Sequence, residues 1–213
     1  MKILVVAAHR DDEIIGIGGT ICKHIKNGDE INICVVTRGF EPEWSNEYNE
    51  IKDKEQKEID EFLGIKDRIK LELPSAKLNT IPHGELNQKI SEIVDKVQPD
   101  ILYTHFEHDI HYDHTMIFRA CMVATRPPKH IMLLCFETLS ETEWNNKAFK
   151  PNIWNDITGC IDKKIEAFKI YESEVREPPH PRSEEGIRTQ ARMRGMEACM
   201  DYAEAFMLIR DFW

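Results

Sequence analysis

Five short apolar runs, each followed by a stretch with helical spacing, restrict this chain to a narrow set of architectures. KILVVAA (residues 2–8) is apolar at every position after its lysine, as expected of a strand covered on both faces of a parallel sheet. EINICVVT (30–37), IKLEL (69–73), DILYT (100–104) and IMLLCF (131–136) repeat that pattern. Between them, Ile21 and Ile25 lie four apart in a helical stretch over 20–27, with Gly28 as its C-cap. Ile51, Ile59, Phe62 and Leu63 mark one face of a charged helix ending near Gly64. Leu86, Ile90, Ile93, Val94 and Val97 mark another, stopped by Pro99, and 115–125 reads as a helix bounded by Pro127 and Pro128. Helices over 161–171 and 188–200 follow, separated by the loop REPPHPRSEEG. Strands alternating with helices imply βαβ units with right-handed crossovers. The chain shows no internal repeat and no linker. It is expected to form one domain over 1–213: α/β, Rossmann-like, with a mostly parallel sheet flanked by helices.

In such a sheet, ligands bind outside the carboxyl ends of the strands. There the first run ends abruptly in VVAAHRDDEIIGIGGT (5–20), a histidine and three acids passing into glycines. Ionisable groups packed at the end of a buried strand repel one another unless a cation compensates. His9 and Asp12 are three apart, a spacing that brings both side chains to one point in a turn or first helical turn. The run 100–104 leads at the same edge into THFEHDIHYDHT, which offers His105, His108, Asp109, His111, Asp113 and His114.

Two imidazoles and a carboxylate make a three-ligand site that leaves a position open for water, as a catalytic zinc requires. The same set suits non-haem iron(II). Water on such an ion ionises near neutral pH, and a neighbouring carboxylate can take its proton. Asp11 is the spare carboxylate. A histidine opposite can hold an oxyanion or protonate a leaving amine, and His111 with Asp113 suits that role. Glu13 reads as a structural group binding loop amides, and His105 and His108 as polar loop histidines. The glycines at 16–19 lack the full G-x-G-x-x-G of a dinucleotide loop and read as close helix–sheet packing.

AHRDDE followed by GGT resembles the A-H-P-D-D-E loop of the LmbE/PIG-L-type zinc-dependent N-acetylglucosaminyl deacetylases, and the H-x-D-H of His111, Asp113 and His114 matches that family's second motif. VTRG (36–39), FLG (62–64), KIYESE (169–174), HPRS (180–183), RMRG (192–195) and YAEAF (202–206) extend the resemblance along nearly the whole chain. It implies His9, Asp12 and His114 as ligands of Zn2+, with Fe2+ also possible, Asp11 as general base, and His111 oriented by Asp113 as electrophile or acid. The implied reaction removes an N-acetyl group from an amino sugar or amino-sugar conjugate, releasing acetate and a free amine. It also implies that a homo-oligomer is possible.

The chain departs from the family pattern in three places. Arg10 replaces the usual proline, Lys52 stands where many members carry a substrate-contacting arginine, and Tyr171 and Glu174 replace the histidine and glutamine of an H-x-S-Q-like pattern. Arg38 and Arg182 are candidates for a sugar-hydroxyl or phosphate contact, competing with a role in surface ion pairs. The loops 40–49 and 137–150 are expected to shape specificity. Two alternatives stand beside this reading: the same metal chemistry on a non-sugar amide, and a non-catalytic sugar- or nucleotide-binding domain. A pure binding module has no use for the uncoordinated Asp11.

Composition removes other classes. The net charge of −10, with no lysine- or arginine-rich block, excludes a phosphate-neutralising nucleic-acid face. No apolar run approaches the roughly eighteen residues of a membrane span. The N-terminal apolar stretch is too short for a signal-peptide core, so the chain is expected to be cytoplasmic. The six cysteines are scattered without a C-x-x-C pair, and most, set among apolar neighbours, read as small hydrophobes.

Overall fold

The computed structural model describes residues 1–213. Its strands are β1 (Lys2–Ala7), β2 (Glu30–Arg38), β3 (Asp67–Pro74), β4 (Ile101–His105), β5 (Met132–Phe136), β6 (Ile153–Asp156) and β7 (Ala203–Arg210). Its helices are α1 (Asp12–Lys26), α2 (Asn46–Leu63), α3 (His83–Val97), α4 (Tyr112–Ala124), α5 (Ile161–Ile170) and α6 (Glu184–Glu197). One seven-stranded sheet has the order β3-β2-β1-β4-β5-β7-β6. The first five strands pair in parallel, and β7 runs antiparallel to both β5 and β6. The chain moves outward from β1 to β3, then returns to place β4 on the other side of β1. The crevice at the carboxyl ends of β1 and β4 is therefore the topological switch point, where α/β sheets hold ligands.

The continuous apolar character of β1 follows from its position in the middle of the sheet. Ile3 and Val5 join a core with α1, α2, α5 and α6, while Leu4 and Val6 join a second core with α3 and α4. The predicted face of α3 (Leu86, Ile90, Ile93, Val94, Val97) is buried in that second core, each side chain stabilising by about 1.5–3 kcal/mol. Five cysteines are buried, Cys199 is exposed, and none is bridged.

Four sequence expectations are corrected. The first helix begins at Asp12, eight residues before the expected start, and takes the whole DDE and glycine stretch into α1. Acids in a first helical turn complement the helix dipole, and the glycines admit close packing: a Cβ on Gly16 would lie 2.6 Å from the Phe136 ring. α1 is not straight, because Ile17 (φ −133°, ψ 24°) interrupts it. The Glu204 carboxylate accepts from the Gly19 and Thr20 amides at 3.0 and 2.6 Å, and Lys164 Nζ donates to that carboxylate and to the Gly16 carbonyl.

α2 buries only half of the predicted apolar face, Ile59 and Leu63, in the core. Ile51 and Phe62 are exposed, and Asn49, Lys52, Glu55 and Gln56 turn inward instead, because the first half of α2 walls a polar cleft rather than the core. β6 and β7 had no predicted counterpart; β6 is a short edge strand of mixed character, and β7 is fully buried over only half its length. α6 starts at Glu184, earlier than expected, where the Ser183 hydroxyl accepts from the Gly186 amide. No helix is long and apolar enough to cross a membrane.

Candidate metal centre and cleft

Where β1 ends, the Ala8 amide donates to His105 Nε2 at 2.8 Å, and the Ala8 carbonyl accepts from the Thr37 amide and hydroxyl. This ties together the carboxyl ends of β1, β4 and β2. It also occupies the His105 Nε2 lone pair, so that histidine, fully buried at the end of β4, serves the scaffold. The loop then turns into α1, and the His9 amide donates to Asp12 Oδ2 at 2.8 Å.

Three donor atoms meet at this turn. His9 Nδ1 lies 3.2 Å and His114 Nε2 3.3 Å from Asp12 Oδ2, and the two nitrogens are 3.4 Å apart. Metal–ligand bonds of about 2.0–2.1 Å around a tetrahedral ion imply donor separations of roughly 3.3 Å. Two overlapping sets could hold a metal ion, His9 with His111 and His114, and Asp12 with His105 and His114; His9, Asp12 and His114, which draw on both, stand 3.2–3.4 Å from one another.

His114 Nδ1 donates to Asp109 Oδ2 at 2.8 Å, which turns the Nε2 lone pair towards Asp12. Two ring nitrogens this close to a carboxylate oxygen need positive charge between them, from protons on the rings or from a metal ion in their place. Asp12 Oδ1 is moreover buried with no hydrogen-bond partner. The residues thus fit a divalent cation. Burial alone would depress the two imidazoles, but their carboxylate partners prevail: His9 is pushed up to about 9 by Asp113 and Asp12, and His114 to about 10 by Asp12 and Asp109. Burial opposes ionisation of Asp12 too, yet the neighbouring imidazoles hold it well below the usual carboxylate range.

Two groups flank this triad. Asp11 accepts from Arg182 Nη1 at 2.6 Å; burial pushes its carboxyl up to about 7 against the pull of Arg182. His111 N-caps α4, its Nδ1 accepting from the Asp113 amide at 3.2 Å. That bond leaves Nε2 as the protonated nitrogen of the neutral ring, and burial, with the charges of His9 and His114, lowers His111 to about 4.

The expected side-chain pairing of His111 with Asp113 is not found. The Asp113 carboxylate accepts from the Ala76 and Leu78 amides at 2.7 and 3.2 Å and faces His9 Nε2 at 3.3 Å. It is drawn there by the loop after β3, so Asp113 orients His9, and His111 is held by backbone alone.

A cleft of about 220 Å³ opens beside the triad, and Asp11, Arg38, Lys52, His111 and Arg182 all line it. Lys52, although buried, lies 3.0 and 3.1 Å from Glu55 and Glu174 and 5.1 Å above the Tyr171 ring. Arg182 bridges Asp11 and Glu174, and Arg38 pairs with Glu72. Arg10 turns away from the triad to the Asn49 carbonyl and Asp53. Glu13 accepts from the Asp11 amide, as read from sequence, and from Arg68 and the Tyr171 hydroxyl. His108 is exposed beside Glu107. Sequence reasoning gave no separate role to Asp109, whose other oxygen accepts from the Thr142 hydroxyl at 2.6 Å, or to Glu141. An acid five residues before the candidate ligand His114 was the available signal for Asp109.

A family model described as PIG-L: GlcNAc-PI de-N-acetylase matches residues 4–125. A Bacillus cereus protein named "Probable N-acetyl-alpha-D-glucosaminyl L-malate deacetylase 2" is 28% identical over 81% of this chain and 83% of its own. The diacetylchitobiose deacetylase of Thermococcus kodakarensis is 25% identical over 98% of this chain and 83% of its own. Among solved structures, the conserved protein TT1542 from Thermus thermophilus superposes with a TM-score of 0.80 at 26% identity, covering 99% of this chain and 96% of that one.

Proposed function

Since the chain belongs to the PIG-L family of de-N-acetylases, as the match over residues 4–125 establishes, we propose that it is a metal-dependent hydrolase that removes the N-acetyl group of an amino sugar or amino-sugar conjugate. One observation carries this reading: His9 Nδ1, Asp12 Oδ2 and His114 Nε2 stand 3.2–3.4 Å from one another, with the separate carboxylate of Asp11 close by. These three residues would hold zinc or iron(II). Such an ion supplies a Lewis acid that acidifies water and polarises an amide carbonyl.

The rest falls to the chain's own groups. Asp11, buried but tied to Arg182, takes the proton of the attacking water and passes it to the departing nitrogen. Neutral His111 offers its Nε2 hydrogen to the oxygen on which negative charge develops. Asp113 and Asp109 hold the His9 and His114 rings through their remote nitrogens. Lys52, Arg38 and Arg182 wall the cleft in which the sugar lies. The relatives' names support the substrate class, since one cites a glucosaminyl conjugate and another diacetylchitobiose.

The test is metal content by elemental analysis on wild type and His114→Ala purified together, followed by acetate release from N-acetylglucosaminides. About one metal per chain, lost in the variant, together with acetate release is the expected result. A metal-free wild type that stays inactive after reconstitution would overturn the hydrolase and leave a binding module.

A further inference from the structure

The turn that follows β5 is tied down more firmly than a connecting loop requires. The Thr138 amide donates to the Thr142 hydroxyl, which donates to Asp109. The Ser140 hydroxyl accepts from Arg182 Nε at 2.8 Å, and the Glu141 carbonyl accepts from the Ile110 amide. Ser140 is held at φ 70°, a left-handed conformation that non-glycine residues adopt where surrounding structure imposes it and that clusters at ligand clamps. The outcome of all these restraints is the placement of one side chain. Glu141 lines the cleft together with Asp11, His111 and Arg182, and its Oε2 is buried without a hydrogen-bond partner.

The charge balance of the cleft singles out the same residue. Each cation of the wall has a carboxylate within ion-pair distance: Lys52, whose Nζ makes no hydrogen bond, has Glu55 and Glu174, Arg182 has Asp11 and Glu174, Arg10 has Asp53 and Arg38 has Glu72. Asp11 and Glu174 each have a cation directly beside them. Glu141 is the lining carboxylate that no cation pairs. A buried acceptor of this kind is satisfied by a ligand hydroxyl and penalised by a ligand acid.

We propose that Glu141 is a specificity-determining residue, its carboxylate accepting hydrogen bonds from the hydroxyls of an uncharged N-acetyl amino sugar or neutral glycoside and turning away conjugates that carry an acid. The net charge of −10 acts in the same direction. This inference rests on the deacetylase reading above.

A matched pair of probes tests it: methyl N-acetylglucosaminide and carboxymethyl N-acetylglucosaminide, which differ by one carboxylate. Acetate release on metal-loaded wild type is expected to favour the methyl glycoside in kcat/KM by about tenfold or more, and Glu141→Gln to narrow that ratio to about threefold or less. Glu141→Ala serves as a second variant, its fold checked by circular dichroism. A wild type that prefers the carboxymethyl glycoside, or a ratio unchanged in both variants, overturns the assignment while leaving the deacetylase intact. If neither probe yields acetate, the hydrolase reading fails, and calorimetric titration of the same probes decides the inference. Tighter binding of the methyl glycoside that depends on Glu141 then upholds it, and equal binding overturns it.

Discussion

His114 Nδ1 lies 2.8 Å from Asp109 Oδ2, and the second oxygen of Asp109 is held by the Thr142 hydroxyl at 2.6 Å. A ring fixed through one nitrogen presents the other in a single orientation, and loss of such a partner costs about 10–100-fold in metal affinity. Asp109→Asn is therefore expected to weaken zinc binding by about that factor without unfolding the protein. Competition with a chromogenic chelator measures it, and an unchanged affinity would show that Asp109 does not orient the ligand.

Asp11 stands beside the three donors and is engaged by Arg182 at 2.6 Å. Its expected contribution is to the proton transfer and not to metal retention. Asp11→Asn should keep the metal content of wild type while acetate release falls by about 10²–10⁴-fold. Metal analysis and turnover on one preparation separate the two effects. Wild-type turnover in this variant would show that another group is the base.

Gly16 sits where α1 crosses β5, and an added Cβ would meet the Phe136 ring at 2.6 Å. Phe136 in turn packs on the His105 ring at 4.9 Å between centroids, so the displacement is directed at the scaffold of the site. Gly16→Ala gains up to about 1 kcal/mol in helix propensity against about 1–3 kcal/mol for overpacking a dense core. A net loss of stability is expected in urea unfolding. A stabilised variant would mean that Phe136 relaxes freely.

The fold was legible in β1, β2, β4 and β5 because both faces of each are covered and nearly every position is apolar. It was less legible where one face meets solvent or a cleft. β6 and β7 have mixed patterns, and the inward residues in the first half of α2 are polar where Asn49 and Lys52 wall the cleft. The meeting of His9, Asp12 and His114 was legible because His9 and Asp12 share one turn and His114 lies in a motif at the same sheet edge. The contacts around them were not. Asp113 was expected against His111 and instead faces His9, since the loop after β3, which sequence spacing does not locate, supplies the two amides that hold it. Arg182 meets Asp11 and Glu174, the latter eight residues before it, only through the turn between α5 and α6.

Lys164 and Glu204 form a buried pair at 2.6 Å, each about 5% exposed, at the interruption of α1. The pair replaces hydrogen bonds that the break at Ile17 removes: Glu204 takes the Gly19 and Thr20 amides, and Lys164 takes the Gly16 carbonyl. Removing either partner leaves a buried charge and unsatisfied backbone groups. Lys164→Ala is expected to destabilise the protein by about 3–5 kcal/mol, as breaking a buried ion pair does. Lys164→Met combined with Glu204→Gln should lose less than the sum of the two single changes, because no isolated charge remains. Glutamine still supplies one acceptor to the α1 amides. Urea unfolding of the single and double variants checks this. Strictly additive losses would show that the two side chains stabilise α1 independently, not as a pair.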